Sequence, residues 1–235
     1  MKYHFDASVT SSVVLDGNGK VSSWVDQNIG ISAVAMNASL PPLYTNSMIQ
    51  MQDGTTQGLH YTPQNESSMP EGIEITLFFA FHIDTLRSDW QALYGFGDYD
   101  SHYNKDTDSH ILIGSDKKLS VFHKSPSGES KYSDSFLFAD NTDYVMSVKY
   151  YKNASAGNNI YIQFRINGVA ISMSGSTEIN TGTTELDSGQ FDLFHSRAYS
   201  RTLSGKLGEF LYYEKALSAS EIQTIETALT NKWFP

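Results

Sequence analysis

Between Gly97 and His110 the chain gathers residues suited to holding cations and sugars. Asp98, Asp100, Asp106 and Asp108 offer carboxylate oxygens and Asn104 an amide oxygen, the hard ligands that Ca²⁺ takes. Tyr99 and Tyr103 add flat faces on which a sugar ring can stack, and His102 lies between them. The spacing is not that of an EF-hand, because Asp98-x-Asp100 is followed by His102 and Tyr103 where Asn or Asp and then Gly belong. The competing reading is a solvated loop whose acids only keep it soluble. Trp90, within Leu86-Arg87-Ser88-Asp89-Trp90-Gln91, falls between expected strands and is a further candidate sugar contact. The segment is therefore expected to bind Ca²⁺, a glycan, or both, and Ca²⁺ is the only cofactor its chemistry suggests.

Such residues need a scaffold, and the scaffold reads as strands. Ile73, Ile75, Leu77, Phe79, Phe81 and Ile83 alternate with Glu74, Thr76, Phe78, Ala80 and His82, the period of two of a strand with one buried face. Tyr144, Met146, Val148 and Tyr150 form a second row, and Ile160, Ile162, Phe164 and Ile166 a third. The third row ends at Asn167-Gly168, the dipeptide favoured in type I′ hairpins, after which Val169, Ile171 and Met173 resume the alternation. Shorter strands are expected at Ile111–Ile113, Leu119–His123 and Phe191–Phe194. The tracts 37–72, 97–110, 125–134, 152–159 and 172–189 read as rich in turns.

One helix is expected, over 218–233. Ser218 is a good N-cap, and Glu221 three residues later completes a capping box. Ile222, Ile225, Leu229 and Trp233 recur at helical spacing, so one stripe must lie on something apolar. Strands closed by one terminal helix predict an all-β fold, a two-sheet antiparallel jelly-roll sandwich, as a single domain over 1–235.

Composition narrows the partners. Sixteen Lys and Arg against 26 Asp and Glu give a formal charge of −10, and no basic cluster exceeds Lys117-Lys118. The electrostatic footprint of a nucleic-acid binder is missing, and membrane insertion is not expected. There is no cysteine, which removes disulfides, thiolate metal sites and cysteine nucleophiles. No apolar stretch of about 7–15 residues precedes the first motif, so no Sec signal peptide is expected.

Three motifs carry a resemblance. Phe5-Asp6-Ala7-Ser8 leads to Val21-Ser22-Ser23-Trp24-Val25-Asp26; Gly205-Lys206-Leu207-Gly208-Glu209-Phe210 precedes the helix; and the helix runs from Leu217-Ser218 to Lys232-Trp233. Their order and spacing resemble bacterial and phage laminin-G-like modules of the concanavalin A-like lectin/glucanase superfamily. The resemblance implies a concanavalin A-like sandwich, with Trp24 and Trp233 as packing residues and calcium at the rim. That superfamily contains lectins, enzymes and structural domains, so fold alone does not fix function.

Laminarinase-type members place their acids on one strand as E-x-D-x-x-E, whose carboxylates work as a pair. Here Glu185-Leu186-Asp187-Ser188-Gly189-Gln190 ends in Gln190, which cannot donate a proton. Ile162-Gln163-Phe164-Arg165 does not supply the set of an alginate lyase, and no Gly-x-Ser-x-Gly, HExxH or phosphate loop occurs. The expectation is a non-enzymatic phage virion protein, a capsid decoration or tail-associated domain. Its partners would be other virion proteins or itself, with surface polysaccharide as a ligand. The alternative is a lectin or adhesin module of a bacterial protein exported by a non-Sec route, with a polysaccharide-degrading enzyme ranked last.

Overall fold

The structure, a computed structural model, describes residues 1–52, 57–61, 74–96, 109–123, 129–152, 160–173, 178–179, 191–196 and 201–235. In chain order the strands are β1 (Tyr3–Asp6), β2 (Val13–Leu15), β3 (Val21–Val25), β4 (Ser32–Ala35), β5 (Leu43–Thr45), β6 (Met48–Met51) and β7 (Leu59–Tyr61). Then come β8 (Ile75–Thr85), β9 (Gln91–Phe96), β10 (Ser109–Ile113), β11 (Lys118–His123), β12 (Glu129–Leu137), β13 (Thr142–Lys152) and β14 (Ile160–Ile166). The last are β15 (Val169–Ile171), β16 (Glu178–Ile179), β17 (Phe191–Leu193), β18 (His195–Ser196), β19 (Arg201–Thr202) and β20 (Ser204–Tyr213), before helix α1 (Ala219–Trp233).

Two antiparallel sheets face each other. The first runs β15-β14-β13-β8-β20-β6-β5, with β1 on β20 and β16 on β14; the second runs β12-β11-β10-β9-β17-β7-β4-β3-β2. This is the expected sandwich. Its interior is aromatic: Phe5 lies tilted against Trp24 at 5.3 Å between ring centroids, Phe79 lies 5.1 Å from Phe210, and Phe191 lies 5.5 Å from Phe210. Trp24 is wholly buried there, as the resemblance implies. Asn167 (φ 48°) and Gly168 (φ 77°) form the tight turn between β14 and β15 with the left-handed backbone that their dipeptide favours.

Strand β8 shows what the helix does. Ile75, Leu77, Phe79, Phe81 and Ile83 enter the inter-sheet core as alternation predicts. Phe78 and Ala80, on the other face, are equally buried, because α1 lays Ile222 and Leu229 over them with Val145 and Leu211. The helix begins as expected: Glu221 donates its backbone N–H to Ser218 Oγ at 3.3 Å, and Ser218 donates its own to Glu221 Oε2 at 2.8 Å. The Glu221 carboxyl is held down to about 2 by the Ser218 amide, then by Lys215 and the Ser218 hydroxyl. Replacing Ser218 with alanine is expected to cost about 1 kcal/mol, read as a lower thermal midpoint with an unchanged far-ultraviolet spectrum.

Several tracts read as turns contain strand residues. The tract 37–72 holds β5, β6 and β7, too short for alternation to show; 97–110 takes in the first two residues of β10; 125–134 holds most of β12; and 172–189 holds β16. Among the described residues strand β12 is the outer strand of the second sheet, a position where a polar sequence is tolerated. No helix among the described residues is long and apolar enough to cross a membrane.

Candidate functional site

The second sheet carries a row of polar side chains on its outward face. Its register aligns Val34, His60, Asp192, Gly95 and His110 on β4, β7, β17, β9 and β10. Leu59, Tyr61, Phe191, Leu193 and Ile111 fill the core, so alternation turns His60, Asp192 and His110 the other way. They are nevertheless only 5%, 0% and 1% exposed. His60 Nδ1 lies 2.7 Å from Asp192 Oδ1. A carboxylate tied to one ring nitrogen fixes the orientation of an imidazole, a preorganised arrangement. Gly95 lies between Asp192 and His110 in that register.

One step beyond this row the strands end. Tyr61, Phe191, Phe96, Ser109, His123 and Glu129 are successive register partners. These six described strand ends therefore share one rim of the second sheet. Beneath it the core is stiff and aromatic, with Tyr61 5.6 Å from Tyr3 and 5.1 Å from Phe191 between centroids. Burial pushes the Tyr61 phenol up to about 12, aided by Tyr3, so it remains a neutral hydroxyl.

The expected site residues divide as follows. Tyr99, His102 and Tyr103, with Asp98, Asp100, Asp106 and Asp108, lie outside the described residues, as does the Glu185–Gln190 run. Their segment is tied to the rim through Phe96 and Ser109. Trp90 stands at the other end of β9, six residues away, roughly 20 Å along the strand. It is half-buried, and a Cβ built on Gly114 would lie 3.4 Å from its ring, so it packs on the β10–β11 turn. Trp90 is thus remote from Phe96 and Ser109, the described residues that flank that segment. Asp26 organises a turn: Oδ2 accepts from the amides of Asn28, Ile29 and Gly30 at 3.1, 2.5 and 3.2 Å.

His60 and Asp192 escaped the sequence reading, and His110, read as the last residue of the polar loop, instead lies on β10. The available signal was one polar residue flanked by apolar neighbours in a short strand, as in Leu59-His60-Tyr61 and Phe191-Asp192-Leu193.

A second polar cluster ties the chain ends together and draws on all three motifs behind the resemblance. Lys232 donates to Asp6 Oδ2 at 2.7 Å and to Glu209 Oε2 at 2.6 Å. Trp233 Nε1 donates to Glu209 Oε2 at 2.8 Å, and His4 Nε2 lies 2.8 Å from Glu209 Oε1. Gly208 leaves room for the indole, since a Cβ there would fall 2.7 Å from Trp233 Cδ2. Burial works to raise the Asp6 and Glu209 carboxyls, but Lys232 acts on both, with Ser8 at Asp6 and His4 and Trp233 at Glu209, and holds both below the ordinary range. Burial likewise works to lower the Lys232 ammonium, but the two carboxylates raise it.

The sign of the linkage follows. Depressed carboxyls stabilise the fold above their unfolded values and lose that contribution as pH falls through their folded ones. The raised ammonium stabilises below about pH 10 and loses its contribution in stronger alkali. The thermal midpoint is thus expected to drop below about pH 4 and again above about pH 10, and Lys232→Met should flatten both limbs.

No protein-family model matches the sequence, and a search of curated proteins finds no match. Solved structures do share its fold. Trypanosoma rangeli sialidase superposes with a TM-score of 0.67 at 14% identity, over 98% of this chain and 32% of that one. The same enzyme in complex with sialic acid gives a TM-score of 0.66. The chain thus spans about a third of the sialidase's length. The Ruminococcus gnavus IT-sialidase CBM40 bound to alpha2,3 sialyllactose matches over 76% of this chain and 96% of its own, with a TM-score of 0.52 at 12% identity. These likenesses, at 12–14% identity, define the fold: a two-sheet antiparallel β-sandwich.

Proposed function

We propose that the chain is a non-catalytic, laminin-G-like glycan-binding module that holds a phage virion, as a decoration or tail-associated part, against surface polysaccharide. The observation that carries this is the orienting His60–Asp192 pair on the outward sheet face, one residue behind the rim formed by Tyr61, Phe191, Phe96 and Ser109. The fold it shares with a carbohydrate-binding module solved with a bound sialyllactose supports the same reading. In this proposal the sugar sits at the rim, with Tyr99 and Tyr103 stacking on it and His102 adding a hydrogen bond. Asp98, Asp100, Asp106 and Asp108 hold Ca²⁺ beside it. Trp90 lies at the far end of β9 and is left out. Other virion proteins or further copies of the chain are the protein partners.

A glycan array tests the proposal. Tyr99→Ala and Tyr103→Ala should each weaken a reproducible positive by roughly tenfold, the scale of one lost ring contact. Trp90→Ala should leave it unchanged, and chelator should weaken binding if Ca²⁺ shapes the site. An array with no positives, or release of reducing ends from a bound polysaccharide, would overturn the non-catalytic lectin reading. Mass spectrometry of purified particles tests the virion assignment separately, and absence of the chain from them would refute it.

A further inference from the structure

We infer that His4, Asp6 and Glu209 form a three-donor cation site that the protein fills with its own Lys232, and that a borderline divalent metal of the Zn²⁺ class takes the position once the ammonium is withdrawn. One nitrogen and two carboxylate donors, His4 Nε2 with an oxygen each from Asp6 and Glu209, lie within 4.8 Å of one another. That donor set suits Zn²⁺, which takes imidazole nitrogen and carboxylate oxygen at about 2.0–2.2 Å. The mixed set and low ligand number disfavour Ca²⁺ and Mg²⁺, which require more oxygens.

Acidic clusters are common without ions, and this one is distinguished by what sits in it. The Lys232 Nζ stands 2.7 Å from Asp6 and 2.6 Å from Glu209, so a positive charge already bridges both carboxylates. The donors are positioned independently of that charge. Asp6 Oδ1 accepts from the Ser8 amide at 3.0 Å and from its hydroxyl at 2.7 Å, leaving Oδ2 for the cation. His4 donates its backbone N–H to Asp26 Oδ1, which fixes the strand that carries the imidazole. Glu209 is held by the Trp233 indole at 2.8 Å. His4 is half-buried and Lys232 exposed, so a metal has an open path and a place for water as a further ligand. A built-in cation also makes the junction of first strand and last helix independent of metal supply.

The test is calorimetric titration of tag-free protein with ZnCl₂, comparing the wild type with Lys232→Met, which keeps the unbranched stem and removes the charge. The variant should bind one Zn²⁺ at least tenfold more tightly than wild type, with a thermal midpoint that rises on adding metal. Adding Glu209→Gln should abolish that binding, and CaCl₂ should not reproduce it. A folded Lys232→Met protein that binds no Zn²⁺, or a wild type that binds it equally well through these residues, overturns the inference. If the variant fails to fold alone, refolding with ZnCl₂ becomes the measurement: recovery of the native far-ultraviolet spectrum supports the site, and no recovery overturns it.

Discussion

Gly205→Ala is expected to prevent folding, or to destabilise the sandwich by more than roughly 3 kcal/mol. Gly205 pairs with Ile83 where β20 crosses β8, beside a shift in register between Ser204 and Gly205. A Cβ added there would lie 2.2 Å from the His82 carbonyl oxygen and 3.2 Å from its carbonyl carbon. Those are backbone atoms of a central strand paired on both sides, by β13 and β20, so no rotamer change relieves the clash. Its backbone is not left-handed, so the effect is one of close approach. Gly168 supplies the contrast: its φ is +77°, yet nothing lies within 4 Å of an added Cβ. Gly168→Ala should therefore cost only about 1–2 kcal/mol, the strain of a left-handed backbone. Thermal melts of both variants check the pair. A Gly205→Ala protein melting within a few degrees of wild type would mean that β20 and β8 are not so closely apposed.

The same two strands show how far a single sequence can be read. The core face of β8 was legible because its apolar residues repeat every second position, and α1 because Ser218 and Glu221 form a local pair. The burial of Phe78 and Ala80 on the opposite face was not legible, since it depends on where the helix docks. Long-range pairing is the general obstacle. His60 and Asp192 are 132 positions apart, and Lys232 and Asp6 are 226 apart. No periodicity encodes such a register, although each residue stands out locally as a polar side chain among apolar ones. The motifs behind the resemblance gave the fold correctly for a physical reason: Asp6, Glu209, Lys232 and Trp233 meet in one junction. They describe how the sandwich is closed, and so they carry little information about function.

Asp26→Ala is expected to lower stability by about 2–4 kcal/mol, and the thermal midpoint by roughly 5–15 °C for a chain of this size. Asp26 is only 2% exposed, and both of its carboxylate oxygens are in use. Oδ2 gathers the amides of Asn28, Ile29 and Gly30 into the turn between β3 and β4, while Oδ1 accepts the backbone N–H of His4 on β1. One side chain thus fastens a turn of the second sheet to the first strand of the other. Three of the amides sit in an exposed turn and can turn to water, which keeps the loss below the sum of four charge-assisted bonds. Asp26→Asn separates the two roles. Asparagine keeps one acceptor oxygen and replaces the other with an NH₂ donor, so it can serve His4 or the turn but not both. It should recover part of the loss, and hydrogen exchange should show whether the His4 amide or the 28–30 amides became labile. Because His4 also faces Glu209, lability at His4 should soften the acid limb of the stability profile as well. An Asp26→Asn protein as stable as wild type, with all four amides protected, would mean that this carboxylate is not what holds the two sheets' chain ends in register.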